Sequence, residues 1–289
     1  MINSREVNKA VIPVAGLGKR MFPVTKGIPK EMLPLVTTPI IQLIVEEIVL
    51  SGIEEIILIT NKQKDTIEQY LKKIVNFEKN SKINSKNNIF DKINFNSNSK
   101  IKISSLTQDK PLGLGHAVLC SKPLVKKEPF ALVLPDMIFT KNNKKNNLSK
   151  MKQNYEKTGN YQILLGKINI KESNKYGMAK VFENYLDSII EKPESSKSPS
   201  NLCATGRYIL DDDIFEVLEN SKPDSSGEIQ LTQALSSHIN KKNKIGVEIL
   251  QGEFYDCGDK LGYLKAIVTF GLKDSLIKKD FKHFLKKLS

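Results

Sequence analysis

The alternation of short apolar runs with amphipathic segments constrains the fold of this chain more than any other feature. Residues 10–15 (AVIPVA) form a short apolar run that leads into glycine, which is typical of a buried strand. Residues 40–50 (IIQLIVEEIVL) place apolar residues at helical spacing, and Ser51 and Gly52 end this segment as a helix C-terminus would. Residues 55–60 (EIILIT) are apolar on both faces, as in a central parallel strand covered by helices. The pattern predicts a strand–helix–strand unit.

The same alternation continues through the rest of the chain. It predicts further strands at residues 101–106, 130–134, 162–168, 179–182, 188–191, 206–210 and 247–250. It predicts further helices at residues 64–75, 116–121, 212–220 and 229–239, and two helices joined near Asp274 within residues 263–288. We therefore expect an α/β fold with a doubly wound, mostly parallel, Rossmann-like mixed sheet, helices on both faces and a helical C-terminal end.

The chain shows no clear division into two domains. Its 289 residues are enough for one large domain or two ordinary ones, but no linker rich in Pro, Gly and Ser separates the halves. We expect one α/β domain over residues 1–260, with residues 261–289 as its C-terminal helical extension. Residues 79–100 are rich in Asn, Ser and Lys, and we expect a mobile polar insertion there, because so little apolar surface does not offset the entropy of ordering.

Composition excludes several classes of protein. No apolar run approaches the roughly 20 residues that span a bilayer, and the first residues lack the apolar stretch of a secretion signal, so we expect a cytoplasmic protein without membrane association. The cysteines are odd in number and far apart, unlike a disulfide framework: Cys120, Cys203 and Cys257. No His/Cys cluster has metal-ligand spacing, so any metal would be a hard cation held by carboxylates.

The basic balance of the chain is not in itself a sign of nucleic-acid binding. The net charge is +13, and clustered Lys and Arg would neutralise phosphates. The lysines are instead spread along the chain and mixed with Asn, Ile and Ser, which is typical of a solvated surface. We expect no nucleic-acid partner, and the charge leaves the binding of acidic small molecules open.

The turn after the first predicted strand carries the most informative residues. It reads GLGKR over residues 16–20 and continues through Lys26 and Lys30. Two glycines allow the backbone to approach a phosphate, amide N–H groups can point at its oxygens, and the nearby cations neutralise charge. The third glycine of a Rossmann fingerprint and the Gly-Lys-Ser/Thr of a Walker loop are both absent. The composition indicates a triphosphate-binding turn of a different kind.

Motifs along nearly the whole chain resemble the sugar-1-phosphate nucleotidyltransferase family. Residues 16–20, followed by residues 29–34 (PKEMLP), look like the signature of that family. Further motifs follow in the family's order: 113–118 (GLGHAV), 134–136 (LPD), 176–177 (YG), 191–193 (EKP), 200–202 (SNL), 206–208 (GRY), 227–232 (GEIQLT) and 256–258 (DCG). Several separated motifs in a fixed order are more specific than any one of them.

The extended form of these motifs resembles the family members that join UTP to glucose 1-phosphate. The resemblance implies that a phosphate oxygen of glucose 1-phosphate attacks the α-phosphorus of UTP in line, giving UDP-glucose and pyrophosphate. Two anions must meet in such a reaction, so positioned cations and Mg²⁺ are needed rather than a covalent nucleophile. The resemblance also implies a homo-oligomer, a dimer or tetramer, formed through the tail helices, although packing on the chain's own sheet would equally satisfy their amphipathic faces.

Three other functions are consistent with parts of the pattern. One is thymidylyl or cytidylyl transfer to a related sugar 1-phosphate. Another is a catalytically silent regulator that binds sugar nucleotides, although a binding protein has little need to keep a metal carboxylate. The third is a basic nucleic-acid-binding module, which would bind duplex DNA with a steep dependence on salt.

The resemblance assigns roles to individual residues. Arg20 and Lys30 would hold the triphosphate as catalytic cations, and Lys192 would reach the phosphate of the sugar. The nucleotide would contact the following residues: Ala15, Gly16, Gly18, Lys19, Lys26, Glu31, Gln108 and Gly113. Lys19 departs from the family, which usually has threonine there, and the charge of this lysine either tightens triphosphate binding or points outward.

The sugar and metal sites follow from the same resemblance. Gly177 and Glu191 would bind the hexose, and Asp136 and Asp256 would hold Mg²⁺. Asp136 follows a predicted strand, where open α/β sheets place ligands, although an aspartate there also serves as a helix cap or turn former. We expect His116 to be structural, because an ionised phosphate needs no base, and one glutamine at Gln108 does not by itself exclude thymine or cytosine.

Overall fold

In the computed structural model, which describes residues 5–61, 64–80, 101–140 and 146–288, strands and helices alternate much as the pattern predicts. The strands are β1 (Lys9–Pro13), β2 (Pro34–Leu35), β3 (Thr38–Pro39), β4 (Glu55–Thr60), β5 (Lys102–Thr107), β6 (Phe130–Val133), β7 (Met137–Phe139), β8 (Tyr161–Lys167), β9 (Gly177–Phe182), β10 (Tyr185–Glu191), β11 (Leu202–Leu210), β12 (Ile245–Ile249) and β13 (Phe254–Asp256). The helices are α1 (Ile40–Leu50), α2 (Asp65–Asn80), α3 (Gly113–Cys120), α4 (Lys122–Val125), α5 (Asn147–Thr158), α6 (Ile214–Glu219), α7 (Leu231–Asn240), α8 (Lys260–Lys273) and α9 (Lys278–Leu288).

Nine of these strands form one sheet, in the order β5-β4-β1-β6-β11-β8-β12-β10-β9. In its first half, β1 pairs in parallel with β4 and β6, and β4 pairs in parallel with β5. The predicted helix at 40–50 and the predicted strand at 55–60 have the same bounds as α1 and β4. Because parallel strands end at the same edge of a sheet, the loops after β1, β5 and β6 lie on one side of the molecule.

The second half of the sheet corrects the expectation of mostly parallel pairing. There β11 is antiparallel to β6, β8 and β9, and β10 is antiparallel to β9 and β12, while β8 and β12 are parallel. Between β9 and β10 only Glu183 and Asn184 remain, and such a short connection joins antiparallel strands because a parallel crossover needs a dozen residues or more. Glu183 has a positive φ of 54° in this hairpin turn.

Two hydrophobic layers cover the sheet, one on each face. Along β1, Ala10 and Ile12 pack into one layer, whereas Val11 packs into the other, as the two-residue period of a strand requires. The first layer also receives α1, α2, α5 and α8, and the second receives α3, α6 and α7. The fold is mixed α/β with helices packed on either side of a strand-rich core.

Several elements differ from the sequence patterns or lie outside them. The helix α5 and the short strands β7 and β13 were not predicted, and β13 pairs with β7 so that Asp256 lies opposite Met137. The predicted insertion at 79–100 lies outside the described residues beyond Asn80, where α2 ends. No helix in the described ranges is both long and apolar enough to cross a membrane.

Candidate active site

Two carboxylates and two cations converge just beyond β6 and β13. The Lys30 ammonium forms an ion pair with Asp136, and Arg20 Nη1 lies 3.3 Å from Asp256 Oδ2. A Cβ atom at Gly258 would lie 2.8 Å from Asp136 Oδ2, 2.8 Å from Asp256 Oδ1 and 2.7 Å from Arg20 Nη2. The absence of a side chain at Gly258 therefore keeps open the space on which three of these side chains converge.

The charges in this group shift the pKa values of its members. Burial acts against the charged form of Lys30, but the Asp136 carboxylate outweighs it and raises the pKa of Lys30. Burial likewise opposes ionisation of Asp136, yet Lys30, followed by Arg20, lowers the pKa of Asp136. Burial and the nearby Asp136 raise the pKa of Asp256, and Arg20 opposes this shift only in part. The second carboxylate therefore lacks full charge compensation and favours a further cation nearby.

This pair of carboxylates fits a magnesium ion that also binds phosphate. The described ranges contain no cluster of three or more side chains able to hold a metal ion. Mg²⁺ in nucleotide sites is held by one or two carboxylates, while substrate phosphates and water complete its six oxygen ligands. Asp136 and Asp256, which both face the space at Gly258, match that donor set.

The turn that carries Asp136 is held in place by the buried side chain of Arg207. Its Nη1 donates to Leu134 O at 3.0 Å and its Nη2 to Met137 O at 2.9 Å, so the guanidinium bonds to the chain on both sides of Asp136. Glu47 on α1 accepts from Nε at 3.1 Å and from Nη2 at 2.7 Å. Arg207 is fully buried, and each of these bonds fixes the course of the backbone at the end of β6.

The loop after β1 is held from beneath by Lys64. Its ammonium donates to Val14 O at 2.8 Å, to Gly16 O at 2.6 Å and to Glu31 Oε2 at 2.9 Å. In a trans peptide the N–H points away from the C=O, so the next N–H groups of the loop face away from Lys64. Burial lowers the pKa of Lys64 and raises the pKa of Glu31. Glu31 is 1% exposed, and its Oε1 has no hydrogen-bond partner among the residues that the structure describes.

The remaining loop residues lie above this buried pair. Gly18 has a left-handed φ of 64°, and Thr25 Oγ1 donates to Gly18 O at 2.8 Å. Asn61 Nδ2 donates to Ala15 O at 2.7 Å, which ties the loop to the end of β4. Two predicted nucleotide-binding lysines are exposed on the loop: Lys19 and Lys26.

Gln108 and Gly113, predicted to face the base, are in direct contact. Gln108 follows β5, and its Nε2 lies 3.2 Å from Gly113 O and 2.9 Å from His116 Nδ1. Gly113 begins α3 with a φ of 92°, and a Cβ there would lie 2.8 Å from Glu228 Cβ. His116, expected to be structural, contacts the side chain of Gln108.

The residues predicted to bind the sugar line a separate part of the site. A cleft of about 780 Å³ is lined by Glu191, Lys192, Glu228 and Thr232, among others. Thr232 Oγ1 donates to Glu191 Oε2 at 3.1 Å, and a Cβ at Gly177 would lie 2.9 Å from Thr232 Cγ2.

The Lys192 ammonium, at this cleft, lies 3.3 Å from Glu191 Oε1, and the side chain is 54% exposed. Within the described ranges, no hydrogen bond or ion pair joins this group to the group around Asp136 and Asp256.

Comparison with known proteins agrees with this geometry. The family described as Nucleotidyl transferase matches residues 9–271 of the chain. The UTP–glucose-1-phosphate uridylyltransferase of Haemophilus influenzae is 39% identical, and the match covers 97% of this chain and 99% of that protein. The chain belongs to the nucleotidyl transferase family.

Solved structures of family members share the same fold. A UTP-bound UGPase from Acinetobacter baumannii superposes with a TM-score of 0.82 at 35% identity, covering 98% of this chain and all of that one. A UDP-glucose pyrophosphorylase complexed with UDP-glucose superposes with a TM-score of 0.81 at 34% identity, covering 93% of this chain and all of that one.

Three residues of this nucleotidyl transferase site were not singled out from the sequence. Gly258 and Arg207 belong to motifs that resemble the family, so the sequence did mark these positions. Their roles were missed because they depend on contacts with distant residues. Lys64 lies between β4 and α2, and no sequence motif marks it. Its role depends on two backbone carbonyls, which sequence patterns do not reveal.

We expect Arg207→Met to lower the free energy of unfolding by about 3 kcal/mol or more, because Glu47 and three backbone carbonyls would lose this donor in a buried setting. Combining it with Glu47→Leu should recover part of the loss by removing the unpaired carboxylate. Urea denaturation followed by circular dichroism measures both. A double variant as unstable as the single one would contradict the pairing.

Proposed function

We propose that this protein transfers the uridylyl group from UTP to glucose 1-phosphate, giving UDP-glucose and pyrophosphate. The observation that carries the proposal is the convergence of Arg20, Lys30, Asp136 and Asp256 near the turn at residues 16–20. The names of the relatives support the choice of substrates, since a similar protein of Haemophilus influenzae is a UTP–glucose-1-phosphate uridylyltransferase.

The proposed reaction is a single in-line displacement. A phosphate oxygen of glucose 1-phosphate forms a bond to the α-phosphorus of UTP, and the bond from that phosphorus to the oxygen of the β-phosphate breaks. The electron pair of the broken bond leaves with pyrophosphate. Because the attacking phosphate is already ionised, no side chain has to remove a proton.

Cations of the loop would bring the anions together. Arg20 and Lys30 would bind the triphosphate, with backbone N–H groups of residues 15–18 and the exposed Lys19 and Lys26 around it. Lys64 keeps the carbonyls of this loop turned inward, which supports an anion-binding role for the N–H groups on the other side. Fixed positive charge is most effective where negative charge builds up on the leaving pyrophosphate.

Asp136 and Asp256 would hold Mg²⁺, and Arg207 would keep Asp136 at the required place. When bound, the ion would supply charge neutralisation for the phosphates of both substrates. The pairs Lys30–Asp136 and Arg20–Asp256 place a cation beside each carboxylate, and the incomplete compensation at Asp256 supports the binding of a further cation there.

The hexose would bind in the cleft at Glu191 and Lys192. The Glu191 carboxylate would accept hydrogen bonds from sugar hydroxyls, and its bond from Thr232 fixes its position. Gly177 would contact the ring beside these residues, and the lack of a side chain there lets Thr232 and Glu191 lie close to its backbone. Lys192 would reach the phosphate of glucose 1-phosphate, while Gln108 and the backbone of Gly113 would contact the uracil, above the buried Glu31.

We further propose a doubly wound, Rossmann-like domain over residues 1–260 with residues 261–289 as a helical extension. The two core layers on opposite faces of the sheet support this interpretation. We also propose a homo-oligomer formed through the tail, since α9 and the turn before it expose Leu276, Phe284 and Leu288, at 75%, 53% and 70%.

A pyrophosphate-release assay across UTP, dTTP and CTP, each with several sugar 1-phosphates, tests the proposed reaction. We expect UTP with glucose 1-phosphate to give the highest kcat/KM. A preference for dTTP or CTP, or for another sugar phosphate, would replace our choice of substrates. The absence of pyrophosphate release with every pair would point to a binding protein.

We expect Lys192→Ala to reduce kcat by about a hundredfold or more while leaving UTP affinity largely unchanged, because the charge is needed most where the two phosphates meet. Lys197→Ala is the matched control, since Lys197 is 74% exposed and pairs only with nearby Glu194 in the described structure. Steady-state kinetics and calorimetric UTP binding separate the two effects. Unchanged kcat in the first variant would remove Lys192 from the mechanism.

We expect Asp136→Asn to abolish Mg²⁺-dependent turnover, because the neutral amide is a poor magnesium ligand. The control is Asp187→Asn, where the carboxylate is 43% exposed and pairs with Lys180 on the surface. Activity is measured over a Mg²⁺ titration, with circular dichroism to check folding. Full activity of the Asp136 variant at ordinary Mg²⁺ would mean that the metal binds elsewhere.

A further inference from the structure

The side-chain amide of Gln108 has a defined orientation because of what surrounds it. One end of the amide lies 3.2 Å from Gly113 O. A backbone carbonyl oxygen can only accept a hydrogen bond, so the amide atom that faces it is the NH₂ group and not the oxygen. The contact with Gly113 O therefore fixes which end of the Gln108 amide is the NH₂ group. The shape of the side chain does not distinguish the two ends.

His116 makes a second contact with the same NH₂ group. Its Nδ1 lies 2.9 Å from Gln108 Nε2. Because the NH₂ group donates, Nδ1 must accept, and the ring is therefore neutral with its hydrogen on Nε2. The two N–H bonds of the amide are then both used, one on Gly113 and one on His116. Gln108 Oε1 is left to accept, and no residue of the described ranges donates to it.

Gln108 and Gly113 therefore offer one acceptor and one donor to a base that lies against both residues. The acceptor is Gln108 Oε1, and the donor is the N–H of Gly113, which has no acceptor within its helix because Gly113 is the first residue of α3. Uracil presents the complementary order, a donor at N3–H beside an acceptor at O4. Cytosine presents the reverse, an acceptor at N3 beside a donor at its N4 amine. One contact would then place two acceptors against each other, and the other would place two donors against each other.

We propose that His116 is a positioning residue that holds the Gln108 amide with its oxygen toward the base, so that the site favours uracil over cytosine. The inference rests on the proposed function for its assumption that the base lies against Gln108 and Gly113. Thymine carries the same N3–H and O4 groups as uracil, so this device does not separate UTP from dTTP. Selection between those two nucleotides depends on other contacts.

The experiment compares His116→Leu with His116→Gln. Leucine removes the acceptor at this position, whereas glutamine can supply an acceptor oxygen in its place. His116 is half-buried, so both variants should fold. Lys122→Ala is the control, because Lys122 pairs with Glu219 and makes no contact with His116 or the Gln108 amide in the described structure.

The readout is the ratio of dissociation constants for UTP and CTP, measured by calorimetry without turnover. We expect His116→Leu to reduce the preference for UTP by about fivefold to tenfold, the size of one hydrogen bond, and His116→Gln to restore most of it. The control should keep the wild-type ratio. A structural role of His116 would weaken UTP and CTP equally, so an unchanged ratio in His116→Leu would overturn the proposal.

A uridine triphosphate methylated at N3 provides an independent check. It lacks the N3–H that Gln108 Oε1 accepts, so the wild type should bind it much more weakly than UTP, and His116→Leu should show a smaller difference between the two. Equal binding of both nucleotides by the wild type would also overturn the proposal. These binding ratios need no turnover, so they can be measured even if the protein does not transfer uridylyl groups. The proposed reaction and the positioning role of His116 can therefore be refuted separately.

Discussion

Parallel pairing of the first strands is the constraint on which the rest of the site depends. Because β1, β5 and β6 run in the same direction, the turn at Gly18, the amide of Gln108 and the carboxylate of Asp136 all follow strand ends at one edge of the sheet. The antiparallel second half then returns the chain to that edge. The turn after β13 thereby brings Asp256 and Gly258 next to Arg20, which is 236 residues from Asp256 in the sequence.

Three polar side chains support residues that, in the proposed function, contact the substrates. Arg207 bonds to the backbone on both sides of Asp136, Lys64 bonds to the loop carbonyls, and His116 bonds to the amide of Gln108. Each support is held by several partners, which limits the freedom of the group above it and lowers the entropy lost when substrates bind. The net charge of the chain does not predict these supporting contacts, because most of the described lysines are on the surface.

The sequence predicts the local elements better than it predicts how they meet. The bounds of α1 and β4 agree with the pattern because their apolar spacing and flanking residues depend on neighbours in the chain. The direction of β11 depends on contacts with β6 and β8, which no local pattern contains. The roles of Arg207 and Lys64 were missed for the same reason, because Arg207 bonds to Glu47 across 160 residues and Lys64 bonds to Glu31 across 33.

The ion pairs Lys30–Asp136 and Arg20–Asp256 have a consequence for how substrates enter the proposed reaction. Both carboxylates already carry an internal counter-ion, so an arriving triphosphate does not meet bare negative charge. In the proposed reaction it would draw the two cations toward itself and leave the carboxylates free to bind a metal that accompanies the nucleotide. Substrate entry would then be an exchange of counter-ions, in which nucleotide and metal are taken up together.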